Sequence, residues 1–381
     1  MAENGDDQNP GTREKPWRSF ARANRTVKPG DTVKVQPGHY EGAKLTAQGT
    51  AGAPITYVSV KLHQAVIDRG TMRAEAIGHR LVIGVSGGEG NYTVVDGFEV
   101  TGAQSGGLAS YRSQGVVIRN CHSHHNRRWG IFTKEVTDMV LENNICHDQE
   151  REHGIYHADG STNCKLIGNV CYGNGGCGIQ LNQGHRAPYR NVLIDGNLLY
   201  DNNRRGGQSF NFDGATDVTL RNNVIIVNRR MGLALYQGNG DTPAMNNVIV
   251  NNTFINVGGR GCILLADATS RNVIFNNIFW SKDPAKPAFI SEGGDVASQS
   301  IGYNAFTGAP FGQTPFALPG DLSRLFLAPG KNDFRLVAAA AVIGKGVREF
   351  KGKKAPEKDR VGNDRSTGTA PDIGAYEFKP M

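Results

Sequence analysis

The chain has 381 residues, 50 of them glycine, and only a fifth are charged, a balance that suits a turn-dense β protein better than a helical one. No run approaches the roughly 18 consecutive apolar residues of a membrane-spanning helix, which excludes that class. The formal charge of +7 favours anionic partners, yet no nucleic-acid motif or lysine-rich stripe appears, so an acidic glycan is the expected partner, with neither nucleic acid nor membrane.

Residues 1–30 read as an N-terminal arm and cap. Met1–Pro10 is polar and acidic and lacks the apolar core of a signal peptide. Trp17, Phe20, Ala21 and Val27 recur at roughly helical spacing, which predicts a short cap helix within 15–27, as an open solenoid core requires.

Residues 31–305 read as coils of a single right-handed parallel β-helix, an all-β solenoid, with 31–100 the less regular start. The segments VIRNC, LENNIC, LIGNVC, LIDGNLL, LRNNVI, IVNNTFI and IFNNIF carry Asn120, Asn144, Asn169, Asn197, Asn223, Asn252 and Asn277, spaced by 24, 25, 28, 26, 29 and 25 residues. That period is one coil. A buried Asn at each bend can bond the turn backbone and its stacked neighbours, so this ladder reads as scaffold. A second strand recurs after glycine in WGIFTKE, HGIYHAD, CGIQLNQ, QSFNFDG, MGLALYQ and GCILLAD. Alternation sends Ile131, Ile155, Ile179, Phe210, Leu233 and Cys262 inward, and Phe132, Lys134, Tyr156, Gln180, Asn182, Asn211, Asp213 and Tyr236 onto one flat, polar outer sheet. Residues 306–381 lose the repeat and predict a closing segment packed along the side.

Six cysteines form no CxxC pair, which argues against a zinc site and for small core residues. Cys146 and Cys171 fall at the same repeat position, where one disulfide could form. His122–His125 with His147 raise a metal question. Counting register puts His122 level with Cys146 and Cys171, hence inward, and aligns Ser123, His147, Tyr172 and Tyr200 as a polar ladder, so no metal site is assigned. Hard oxygen donors in Asp159, Asp213 and the Asn-rich turns would suit calcium, although no compact aspartate cluster appears.

The segment PGDTVKVQPGHYEG (29–42), followed by APITYVSV (53–60), resembles the opening of pectate-lyase-like β-helix proteins, especially chondroitinase B-like and alginate lyases. The ending APDIGAYEF (370–378) is similar to the closing motif of many secreted members. The resemblance implies an acidic polysaccharide substrate and a secreted or periplasmic location. It does not carry catalytic residues across, because neither the paired acids of polygalacturonases nor the DPHE-type motif of mannuronan epimerases is found.

The residues themselves suggest a chemistry. Turns entering the outer-face strands hold Arg127, Arg128, Arg151, Arg204, Arg205, Arg229, Arg230 and Arg260, a row suited to carboxylates or sulfates. Eliminative cleavage of a uronate needs its carboxylate neutralised, a base for the C5 proton, and an acid for the leaving oxygen. Lys134, His153 and Tyr156 are the expected reacting groups, with Arg128 and Arg151 on the substrate carboxylate. Gln180, Asn182, Asn211, Asp213, Arg230 and Tyr236 are expected to bind neighbouring sugars. His157 should point inward. A C5-epimerase shares the proton abstraction. A glycoside hydrolase needs two paired acids, whereas Asp213, Glu135, Asp159 and Asp267 are scattered; a non-catalytic glycan binder would use Phe132, Tyr156 and Tyr236 as stacking surfaces. A polysaccharide lyase, monomeric, is the leading expectation.

Overall fold

The computed structural model describes residues 1–70, 78–84, 88–185, 187–366 and 370–380. Three parallel sheets run the length of a right-handed β-helix. Among the described residues, the first has 11 strands, from Thr32–Val35 to Ser300–Gly302. The second has 12, from Gly38–Glu41 to Phe316–Ala317, and the third has 10, from Ala43–Leu45 to Phe289–Glu292. Each coil gives one short strand to each sheet, and every third strand pairs, so ladders form between coils and not within them.

The bend between the first and second sheets shows why asparagine recurs. Two adjacent positions serve it. The first takes a left-handed backbone, at Asn120, Asn143, Gly168, Gly196, Asn222, Asn251 and Asn276, all with φ between 52° and 66°, a conformation that Asn and Gly adopt most cheaply. The second is the ladder proper. Asn197 Oδ1 accepts from Asn169 N at 2.8 Å and Asn169 Nδ2 at 3.0 Å, while Asn197 Nδ2 donates to Leu166 O at 2.9 Å. The pattern runs from Asn144 through Asn169, Asn197, Asn223, Asn252 and Asn277 to Asn304. Asn120 is not a rung. It holds the left-handed position, and Cys121 occupies the ladder place, its N–H donating to Asn144 Oδ1 at 3.0 Å.

That one-residue slip reverses the expected orientation of the histidines. Ser123, not His122, is level with Cys146 and Cys171 and points inward. His122 and His124 face out, and the ring column is His124, His147, Tyr172 and Tyr200. Its last three rings stack at 4.5 and 4.8 Å, within 8° of parallel. A second polar ladder, Asn126, Gln149, Asn174 and Asn202, lines the bend into the third sheet. The recurrent glycine beyond it has a steric cause: a Cβ on Gly130 would sit 2.6 Å from Gly154 O, and one on Gly154 2.8 Å from Gly178 O.

Inward side chains form one continuous apolar column including Ile131, Ile155, Ile179, Phe210 and Leu233. Ile263, rather than Cys262, is level with Leu233, although both are buried. All six cysteines are buried free thiols, so Cys146 and Cys171 stack without a disulfide.

Among the described residues the single α-helix is Phe20–Thr26, capped by the Ser19 hydroxyl accepting from Arg22 N. It closes the first coil with Phe20 and Ala23; Ala21 faces solvent. Phe20 packs at about 6 Å against Tyr40, Tyr57 and Phe98. The C-terminal segment lays Phe326, Phe334, Val342, Ile373 and Ala375 on the outer face of the second sheet, against Ile255, Ile278 and Trp280. It is locked by a buried Arg365–Glu377 ion pair at 3.3 Å. No helix among the described residues is long and apolar enough to cross a membrane.

Candidate active site

The outer face of the third sheet carries the expected residues in two columns. Ala109, Phe132, Tyr156, Gln180, Asn211 and Ala234 form one, and Tyr111, Lys134, Ala158, Asn182, Asp213 and Tyr236 the other. Period-two alternation therefore places them correctly, but their surroundings differ from a flat open sheet.

At the early coils the face is a close-packed aromatic floor, with Trp129 and Phe132 each only 7% exposed and Tyr111 and Tyr156 half-buried. Trp129 stacks on Phe132 at 4.5 Å, His79 lies 6.0 Å from both, and Tyr156 stands 5.3 Å from Phe132. Trp129 is three residues from Phe132, and alternation counted from Ile131 would turn it inward. The bend at Gly130 brings it out. Glu152 fixes one edge: it accepts from Arg128 Nε and Trp129 Nε1, each at 2.7 Å, and the Arg128 guanidinium lies 4.1 Å above the indole. Such a cation–aromatic contact stabilises by about 0.5–1 kcal/mol where exposed. At the other edge, Lys134 Nζ pairs with Asp159 Oδ2 at 2.7 Å, so a carboxylate is its immediate neighbour.

Titration behaviour separates two of the expected reacting groups, Tyr156 and His153. Burial, aided by the carboxylates of Asp159, Glu152 and Asp213, pushes the Tyr156 phenol up to about 12, so it stays protonated across the neutral range. His153 is pushed down to about 4 by burial, and its Nδ1 accepts the Cys177 N–H at 2.9 Å. Its lone pair is thus spent on the scaffold, and its other nitrogen faces Glu152 at 3.9 Å. This geometry suits a group that positions the wall and leaves no free nitrogen to take a proton. His157 points inward as expected, with Thr133 Oγ1 2.6 Å from Nδ1.

The later coils are covered. Asp213 is 1% exposed, and its carboxylate accepts the N–H groups of Gly238 and Asn239. It anchors a turn, so it neither serves as a free acid nor offers oxygens to calcium. Asn182 accepts from Gly184 N, and Gln180, Asn211 and Tyr236 form a chain of bonds at 2.7 and 2.8 Å. Burial raises the Tyr236 phenol to about 12 as well. These polar groups line the end of the floor as a wall rather than an open platform.

The arginine row is present but interleaved with acid. Arg151 faces Glu150 at 3.5 Å, Arg204 bonds Asp148 and Asp201, Arg229 faces Asp201 at 3.3 Å, and Arg260 pairs with Glu292 at 2.6 Å. Arg230 is exposed at the turn, with φ 49°. The residues that sequence reasoning missed are His79, Tyr111, Trp129 and Glu152; only the acids of DQERE (148–152), facing the arginines one coil away, were a readable signal.

A family model described as Pel9A-like, right handed beta helix region, matches residues 1–272. The solved pectate lyase Pel9A superposes with a TM-score of 0.71, covering 100% of this chain and 96% of that one at 18% identity. The A-module of mannuronan C-5 epimerase AlgE6 from Azotobacter vinelandii covers 76% of this chain and 91% of its own, with TM-score 0.57 and 19% identity. At such identities the likeness establishes the fold. In sequence, mannuronan C5-epimerase AlgE5 from the same organism is 36% identical over 110 residues, which is 28% of this chain and only 10% of that relative.

Proposed function

The chain belongs to the Pel9A-like right-handed β-helix family, and on that premise we propose that it cleaves a uronate-containing polysaccharide by β-elimination on the aromatic floor of the third sheet. The observation that carries this reading is the juxtaposition, on adjacent strands, of Lys134 and the half-buried Tyr156 beside the packed aromatic pair Trp129 and Phe132, with the Arg128 guanidinium at the rim. The partly exposed Tyr156 ring suits the apolar face of a sugar, and a guanidinium fork suits a carboxylate.

The roles follow from protonation. Lys134 is the base that takes the C5 proton. The electrons form the C4–C5 double bond as the C4–O bond breaks. Tyr156, a phenol held protonated, gives its proton to the departing oxygen. Arg128 neutralises the uronate carboxylate, and Arg151 and Arg230 meet carboxylates further along the chain. His153, Gln180, Asn182, Asn211, Asp213 and Tyr236 hold the wall and its covering turns. An anionic polymer as substrate fits action outside the cytoplasm, and the proposed acting form is the monomer.

The stretch of identity with a mannuronan C5-epimerase supports a second reading, in which the proton removed from C5 is replaced on the opposite face and no bond to the chain breaks. Product analysis in D2O over pectate, alginate, chondroitin sulfate and hyaluronan separates the outcomes. Elimination yields an unsaturated terminal uronate. Epimerisation yields intact polymer with deuterium at C5. New reducing ends with neither feature would mean hydrolysis and would overturn both readings.

A further inference from the structure

On a different face from the aromatic floor, the second sheet gathers Glu99, His122, His124 and His147 on three consecutive strands, Glu99–Thr101, His122–His124 and Ile145–His147. We infer that Glu99, His122 and His124 form a binding site for one zinc-like transition-metal ion. One ligand atom from each lies within 4.8 Å of the others. Glu99 reaches between the rings, with Oε1 3.3 Å from His124 Nε2 and Oε2 4.0 Å from His122 Nδ1. Tetrahedral zinc with bonds of about 2.0–2.1 Å needs donor separations of about 3.3 Å, so only small side-chain movements close the set. Two imidazoles and a carboxylate are a donor set that zinc accepts with a fourth position open.

The contacts around the set accommodate the tautomers that ligation requires. His122 Nε2 and His147 Nε2 are 2.7 Å apart, and His147 Nδ1 is 2.8 Å from Asp148 Oδ2. If His147 Nδ1–H donates to that carboxylate, its Nε2 accepts the proton of His122 Nε2, and the His122 lone pair is left on Nδ1, facing Glu99. His124 Nδ1 contacts His125 Nδ1 at 2.8 Å, leaving Nε2 to face the same carboxylate. A ligating histidine ordinarily has its second nitrogen held in this way by a carboxylate or another acceptor.

A purely structural ring stack does not account for the cluster. It explains His124 and His147, which continue into Tyr172 and Tyr200. The adjacent column runs Val66, Glu99, His122, Ile145, Val170 and Leu198. Between Val66 and Leu198, Glu99 and His122 are the two members of this column that are not aliphatic, and they stand at the two positions from which donors converge with His124.

The test is zinc titration of chelator-treated full-length protein by calorimetry, with cobalt substitution as a spectroscopic report of tetrahedral coordination. One ion per chain is expected, bound at least tenfold more weakly after His122→Ala. His124→Tyr, which puts in this column the ring type already present at Tyr172 and Tyr200, is expected to abolish binding while keeping the unfolding midpoint. His147→Tyr should weaken binding by about 10- to 100-fold. Replacing the exposed His185 should change nothing. Absence of saturable binding in the wild type, or binding unchanged by His124→Tyr, would overturn the assignment.

Discussion

His157 makes a quantitative test of how the core is built. Its ring is fully buried, stacked 5.7 Å from Tyr189, with Nδ1 bonded to Thr133 and Nε2 without a partner. Burial alone pushes it from 6.5 to about 4. A histidine whose folded value lies below its unfolded value is protonated first in the unfolded chain. Stability is therefore intact above about 6.5, falls as the pH drops toward 4, and stops falling below it. A gap of about 2.5 units at about 1.4 kcal/mol per unit makes the total loss on the order of 3 kcal/mol from this one side chain. Urea unfolding followed by tryptophan fluorescence, at a series of pH values from about 7 to about 4.5, reads the slope. His157→Leu changes the absolute stability through lost contacts, so the slope is the relevant comparison. It should be shallower in the variant by roughly one proton's worth, about 1.4 kcal/mol per pH unit. Identical slopes for the two proteins would refute the argument.

The remaining expectations concern the ladder, the closing segment and the floor. Asn197→Ala strands the Asn169 donors and the Leu166 carbonyl in the dry interior and should cost about 3 kcal/mol or more, at 1–3 for each of the three orphaned groups; a change in urea midpoint equivalent to under about 1 kcal/mol would show that the ladder is not a stabilising device. Glu377→Gln removes the nearest counter-charge of buried Arg365, leaving the more distant Asp359 and Asp372, and should cost about 3 kcal/mol, seen as early proteolysis of the C-terminal segment. Tyr156→Phe keeps the stacking surface and removes the proton donor, so kcat on the preferred polymer should fall by about 100-fold or more with KM little changed; an equal fall in both parameters would point to a binding role instead.

The solenoid was legible because its cause is local: a bend needs a left-handed residue and a buried amide, and both needs are written as asparagine. The same economy produced the main misreading. Where Cys121 replaces the ladder residue, the asparagine still visible is Asn120, which serves the turn, and counting from it flips the strand His122–His124. The covering of the wall was half-visible. The spacings of 28 and 29 residues, from Asn169 to Asn197 and from Asn223 to Asn252, exceed the basic coil by a few residues. Those coils carry the turns that Asn182 and Asp213 tie down. What could not be read was charge pairing between coils. Lys134 with Asp159 and Arg128 with Glu152 are partners across one coil, about two dozen residues apart, and only the register brings them together.

The central claim is elimination of a uronate on the floor that Lys134 and Tyr156 share. The most direct measurement is the ultraviolet absorbance of the conjugated C4–C5 product, recorded for the wild type and Lys134→Ala over a panel of acidic polysaccharides. The account predicts a steady rise on at least one polymer that Lys134→Ala abolishes without lowering the unfolding midpoint. A flat wild-type trace across the panel, or a rise that Lys134→Ala leaves intact, would contradict it.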